Sequence, residues 1–197
     1  MSDNGVNTGR RRFLVAATSV VGAAGAVGVA TPFIKSWNPS AKAKAAGAPV
    51  KVNLSKLEPG QQIVVEWRGK PVFVVRRTPD MLQEIREVDS KVRDPDSDKS
   101  EQPDYAKNEY RSIKDEYLIV VGLCTHLGCS PKYLPEVKPM EFDSDWKGGY
   151  HCPCHGSKFD LAGRVYKSVP APTNLVVPPY NYESDMVIII GKDKENA

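Results

Sequence analysis

At 197 residues the chain has room for one domain of about 150 residues plus an appendage. Its formal net charge of +3 is uneven: residues 1–47 carry six Lys/Arg and one acid, whereas residues 48–197 carry 21 Lys/Arg and 23 Asp/Glu. The larger part is slightly acidic, with no Lys/Arg-rich arm and no aromatic RNA-binding motif, which excludes nucleic-acid binding.

The appendage comes first. Residues 13–34 hold no charged side chain, and 22 residues of helix span about 33 Å, enough for a hydrocarbon core of about 30 Å. This predicts a transmembrane helix over 13–34. Gly22, Gly25 and Gly28 form a stripe of small residues that lets another membrane helix approach. Arg10-Arg11-Arg12-Phe13-Leu14 precedes the run and resembles the twin-arginine export signal. As a plain basic flank it gives the same topology, with residues 1–12 cytoplasmic and the remainder outside. Ala41-Lys42-Ala43 and Ala43-Lys44-Ala45 have the small-residue spacing of cleavage sites, but the apolar run exceeds the usual 7–15 residues or so of a signal core. A retained, single-pass anchor is expected. Residues 35–49 are small, polar and Pro/Gly-punctuated and read as a tether of at most about 50–54 Å.

The remainder, 50–197, reads as the head domain. Val50–Leu54, Gln62–Trp67 and Pro71–Arg77 are β-rich runs, the last two joined by Arg68-Gly69-Lys70, a hairpin signal. Thr78-Pro79-Asp80 starts a helix, with Thr as N-cap and Pro at N1, and Leu82, Ile85 and Val88 carry its apolar stripe through about Asp89. Residues 90–112 are charged and irregular. Asp94, Asp96 and Asp98 have a calcium-loop rhythm, but Lys99 stands at the required Gly and Tyr105 at the closing Glu. A solvated loop is expected there. Further strands are expected at Tyr117–Leu123, Gly148–His151, Arg164–Tyr166, Leu175–Val177 and Met186–Ile190, with a Pro-rich connection before Gly148. Many short strands, Gly/Pro turns and one helix predict a mainly β fold, a small antiparallel sandwich or barrel with one inserted helix and loop.

All four cysteines fall in two short boxes, Cys124-Thr125-His126-Leu127-Gly128-Cys129 and Cys152-Pro153-Cys154-His155-Gly156-Ser157. Such concentration points to metal or cluster chemistry rather than to scattered buried thiols. Each box offers thiolate and imidazole on a tight turn. Two facing turns can supply two sulfurs to one iron and two nitrogens to another, the mixed ligation of Rieske centres. A tetrahedral Cys/His zinc module is the competing reading; the absence of a CxxC pair and six candidate ligands for four positions count against it. His151 sits outside both ligand spacings and reads as a strand residue.

C-T-H-L-G-C and C-P-C-H-G-S resemble the cluster-binding boxes of the Rieske proteins of bc1 and b6f complexes, and the resemblance covers nearly the whole chain. It implies one [2Fe–2S] cluster on Cys124, His126, Cys152 and His155, and a loop-locking disulfide between Cys129 and Cys154. That cysteine pair separates the chain from Rieske ferredoxins and ring-hydroxylating oxygenases, and the helix and loop at 78–116 resemble the bc1 branch. The resemblance implies an electron-transfer subunit of a quinol–cytochrome c oxidoreductase (translocase), with ubiquinol as donor and cytochrome b and cytochrome c1 as partners. It further implies a dimeric complex in a bacterial inner membrane with the head in the periplasm. His155 would accept the quinol hydrogen bond and proton, Leu127 would shield the cluster and meet the quinone, and Ser157 would hydrogen-bond the cluster. Ser168-Val169-Pro170-Ala171-Pro172 resembles the family's Pro-rich covering loop, with Ser168 where many relatives have Gly. The family commonly has Tyr where this chain has Phe159, which implies a lower reduction potential. The Rieske small subunit of a molybdenum oxidase such as arsenite oxidase shares several of these features and is the nearest alternative.

Overall fold

The computed structural model describes residues 5, 7–99 and 102–193. Residues 1–4 and 6 of the expected cytoplasmic N-terminus, 100–101 of the charged loop and 194–197 at the end of the head lie outside the described residues. The chain divides into two compact units, Met1–Ala45 and Ala46–Ala197.

The first unit is built on α1, Thr8–Ser36, with none of its residues buried. The Asn7 side chain caps it by accepting the Arg10 N–H at 3.0 Å. The helix is longer than the 13–34 apolar run because Arg10–Arg12 are good helix formers and join its first turns. Among the described residues this is the one helix long and apolar enough to cross a membrane. A short helix, α2, follows at Ala41–Ala46.

The second unit contains three antiparallel three-stranded sheets. Its strands are β1 Val50–Asn53, β2 Gln62–Trp67, β3 Lys70–Arg76, β4 Tyr117–Val121, β5 Lys132–Val137, β6 Lys147–His151, β7 Lys158–Phe159, β8 Tyr180–Ser184 and β9 Val187–Ile190. The sheets run β1-β9-β8, β2-β3-β4 and β5-β6-β7. In the second, Val74 faces Ile119 and Val72 faces Val121. All five residues of β4 are buried, as a continuous apolar run requires when both faces are covered. Helix α3, Pro79–Glu87, starts as its sequence predicts: Thr78 Oγ1 accepts the Met81 N–H at 3.3 Å and Pro79 opens the first turn. Met81 and Ile85 bury the apolar face against Leu161 and Ala162.

Several expectations are corrected. The Pro-rich connection before Gly148 contains β5, which tolerates Pro135 because β5 is an edge strand and its register shifts between Leu134 and Val137. Arg164–Tyr166 and Leu175–Val177 do not form ladder strands. Val165 and Tyr166 make single bridges to Phe159 and Val92, and the Val176 carbonyl accepts only from the Val121 N–H. Strands β7 and β8 arise at positions without a clear β pattern.

The charged loop is a second correction. Asp94, Ser97, Arg111 and Ser112 are buried rather than solvated. The Asp94 carboxylate accepts the Asp98 and Lys99 N–H groups, so the calcium-like rhythm serves loop capping. The Arg111 guanidinium donates to Ser97 Oγ, Gln102 Oε1 and the carbonyls of Ala162, Gly163 and Leu175. Burial pushes its pKa down to about 9. A neighbouring buried pair joins Arg164 to Asp160, with Nε to Oδ2 at 2.7 Å. These contacts satisfy charged groups that would be costly in the interior unpaired.

Gly149 lets β6 and β7 meet. Its φ is +140°, and a Cβ there would sit 2.1 Å from the Phe159 carbonyl oxygen.

Candidate metal centre

Box one follows β4 of one sheet, and box two joins β6 to β7 of another. Both boxes use one hydrogen-bond pattern. In box one the Cys124 N–H donates to the Cys129 carbonyl and the Gly128 N–H to the Cys124 carbonyl, at 2.8 and 2.9 Å. In box two the Cys152 N–H donates to the Ser157 carbonyl and the Gly156 N–H to the Cys152 carbonyl, also at 2.8 and 2.9 Å. Each loop thus closes on its first cysteine, and each needs a residue with positive φ at its fifth position. Gly128 and Gly156 supply it, at +82° and +75°.

Cys129 and Cys154 form a disulfide that ties the loops together, with Cα atoms 6.6 Å apart. Cys124 and Cys152 are free and buried, and both belong to the main core cluster. The sulfurs of Cys129, Cys152 and Cys154 lie within 4.8 Å of one another. Since two of those three are joined in the disulfide, only Cys152 of that group keeps a thiol able to ligate. Burial pushes the Cys124 thiol up.

The imidazoles of His126 and His155 meet edge to face, with centroids 4.8 Å apart and planes at 86°. His126 Nδ1 is buried without a hydrogen-bond partner among the described residues. Such an atom stands out, since buried polar atoms are otherwise paired. Sulfur and nitrogen donors in equal number fit a mixed-ligand [2Fe–2S] centre. His155 faces solvent, and Leu127, next in sequence to His126, is 70% exposed.

Ser157 is fully buried, and its Oγ accepts the Ala171 N–H at 3.0 Å. Thr125 Oγ1 donates to the Thr173 carbonyl at 2.7 Å. The stretch 168–173 is thereby held to both boxes. Ser168 has φ +59°, in the left-handed region that favours glycine. Phe159 is buried in the same core as Cys124 and Cys152 and has no polar atom to offer them. His151 ends β6 with its ring stacked on Phe142 at 3.9 Å, apart from the imidazole pair. The role of Thr125 left no sequence signal, because its partner is a carbonyl distant along the chain.

Comparison with known proteins agrees with this geometry. Residues 49–181 match the family model described as Rieske [2Fe-2S] domain, and residues 1–40 match the model described as the Fe-S subunit TAT signal of ubiquinol–cytochrome c reductase. The chain is 61% identical to the ubiquinol–cytochrome c reductase iron–sulfur subunit of Allochromatium vinosum, covering 100% of this chain and 95% of that one. It is 45% identical to the subunit of the same name from Blastochloris viridis, over 92% of each. It is 40% identical to the mitochondrial cytochrome b-c1 complex subunit Rieske of Schizosaccharomyces pombe, over 89% of this chain and 68% of that one. A chain of the solved structure of a hyperthermophilic respiratory Complex III is 27% identical, with a TM-score of 0.48, over 89% of this chain and 99% of that chain. From its paired loops, its locking disulfide, the family models and the curated relatives, the chain belongs to the Rieske [2Fe–2S] iron–sulfur proteins of the ubiquinol–cytochrome c reductase type.

Proposed function

We propose that Cys124 and Cys152 hold one iron and His126 and His155 the other, in the electron-carrying subunit of a quinol–cytochrome c oxidoreductase. The observation that carries this reading is the buried Nδ1 of His126, unpartnered among the described residues, on the ring that meets His155, together with two free buried thiols in the same pair of loops. When bound, the cluster supplies one-electron redox chemistry, and imidazole in place of two thiolates lowers its negative charge and raises its potential.

The remaining work falls to the chain's own groups. The solvent-facing His155 offers its outer ring nitrogen to a quinol hydroxyl, accepting first the hydrogen bond and then the proton. Leu127 presents an apolar surface beside it and excludes water from the approach. The Ser157 hydroxyl, fixed by the Ala171 N–H, would donate its O–H to the cluster and favour the more negative redox state. Partners named in the relatives' descriptions support assembly with cytochrome b and cytochrome c1 in a membrane complex, with ubiquinol as donor.

Residues 1–12 would lie in the cytoplasm, α1 would span the bacterial inner membrane, 35–49 would tether, and 50–197 would work in the periplasm as part of a dimeric complex. The twin-arginine match favours this orientation, because that route exports folded, cofactor-loaded proteins. The tether would let the head travel from the quinol site to cytochrome c1. Replacing Ala41–Ala46 by a proline run should stall turnover and leave the cluster spectrum intact.

Electron paramagnetic resonance of the full-length chain after ascorbate reduction tests the ligand set. A Rieske signal that disappears in His126→Ala and in His155→Ala is expected. A silent spectrum with stoichiometric zinc would remove the reading.

A further inference from the structure

The segment Ser168–Pro172 has little means of holding itself. Pro170 and Pro172 have no N–H, and the Ala171 N–H is given to Ser157. Its carbonyls are bound instead by side chains from elsewhere. Arg93 spans the segment from outside, with Nη1 donating to the Pro172 carbonyl at 3.0 Å and Nη2 to the Val169 carbonyl at 3.3 Å. Beyond it, Thr125 takes the Thr173 carbonyl and Arg111 the Leu175 carbonyl.

Arg93 is itself anchored to the stretch that leads into this segment. Its N–H donates to the Val165 carbonyl at 2.9 Å, Val92 bridges Tyr166, and the Lys167 N–H donates to the Lys91 carbonyl at 2.8 Å. Backbone and guanidinium together close a clasp over 165–172. A planar fork suits this task, because it engages two carbonyls three residues apart at once, whereas an ammonium is a single point donor. Inside the clasp, Val169 and Ala171 pack on the core that contains Cys124 and Cys152.

We propose that Arg93 is a positioning residue whose guanidinium fork presses residues 169–172 onto Ser157 and limits the access of water and solutes to the two buried thiols. The access part rests on reading 124–129 and 152–157 as the cluster-binding loops. Arg93 lies on the surface, so truncating it exposes carbonyls to water and leaves no buried charge unpaired.

The test is amide hydrogen exchange by mass spectrometry on the detergent-solubilised, full-length, cluster-loaded chain, with iron release to a chelator followed in parallel. In Arg93→Gln, exchange over residues 169–173 should quicken about tenfold, equivalent to about 1.4 kcal/mol, while β3 and β4 keep wild-type rates. Iron release should quicken similarly. Arg93→Lys should recover less than half of the effect on a logarithmic scale. Unchanged exchange over 169–173, or acceleration spread evenly over the head, would overturn the clasp. Full recovery by Lys would overturn the fork in favour of charge alone. Faster exchange in a chain that binds no iron would support the clasp and refute the ligand reading.

Discussion

Gly128 and Gly156 hold equivalent places in two loops that share one hydrogen-bond pattern, each donating its N–H to the carbonyl of the cysteine that opens its loop. Both have positive φ, and a Cβ at either position would meet nothing within 4 Å. The cost of a side chain is therefore conformational alone. Gly128→Ala and Gly156→Ala should each destabilise the head by about 1–2 kcal/mol, read from denaturant midpoints. Gly149→Ala, which meets the Phe159 carbonyl, should cost more than either.

Cys129–Cys154 closes a loop with a sequence separation of 25. The chain-entropy model assigns such a crosslink about 3.5 kcal/mol. Cys129→Ser and Cys154→Ser should each lose roughly that amount, and the double variant should lose no more than either single one. Additive losses in equilibrium unfolding would contradict a single shared bond.

Ser168 pays for a left-handed backbone at φ +59°. Ser168→Gly should stabilise the head by roughly 0.5–1 kcal/mol, the relief of strain less the added entropy of the unfolded chain. Differential scanning calorimetry of the two proteins measures it.

Phe159 lies in the core with the two free thiols and offers no O–H. Phe159→Tyr should raise the reduction potential, because a hydroxyl donor near the cluster or a ligand sulfur stabilises the added negative charge. A redox titration that shows no rise would refute this.

Asp143 and Lys158 pair at 2.6 Å between the 138–146 connection and β7. Burial pushes the Asp143 carboxyl up, but hydrogen bonds from Lys158 and the Asp145 N–H outweigh it and leave the pKa lowered. A carboxyl depressed in the folded state contributes stability above its unfolded pKa, about 3.9, and loses it as pH falls through the lower folded value. Lys158→Met should therefore reduce stability more at pH 7 than at pH 2, as measured by urea unfolding at both.

The sequence by itself determined the features that depend on near neighbours. Thr78-Pro79-Asp80 starts a helix because cap and first turn lie within four residues. The apolar run makes a membrane-length helix because its composition leaves no alternative. Each cysteine box declares its chemistry, and Gly128 and Gly156 announce its turns. Tertiary structure decided what joins distant residues. It set the two boxes face to face from different sheets, brought His126 against His155, and buried Arg111 in a loop whose charge suggested solvent. It also made a strand through Pro135, since an edge position and a register shift remove the need for that missing N–H. Arg93 belongs wholly to this second class. Its partners are backbone carbonyls, which every residue carries, so no side-chain pattern could single out the two it binds.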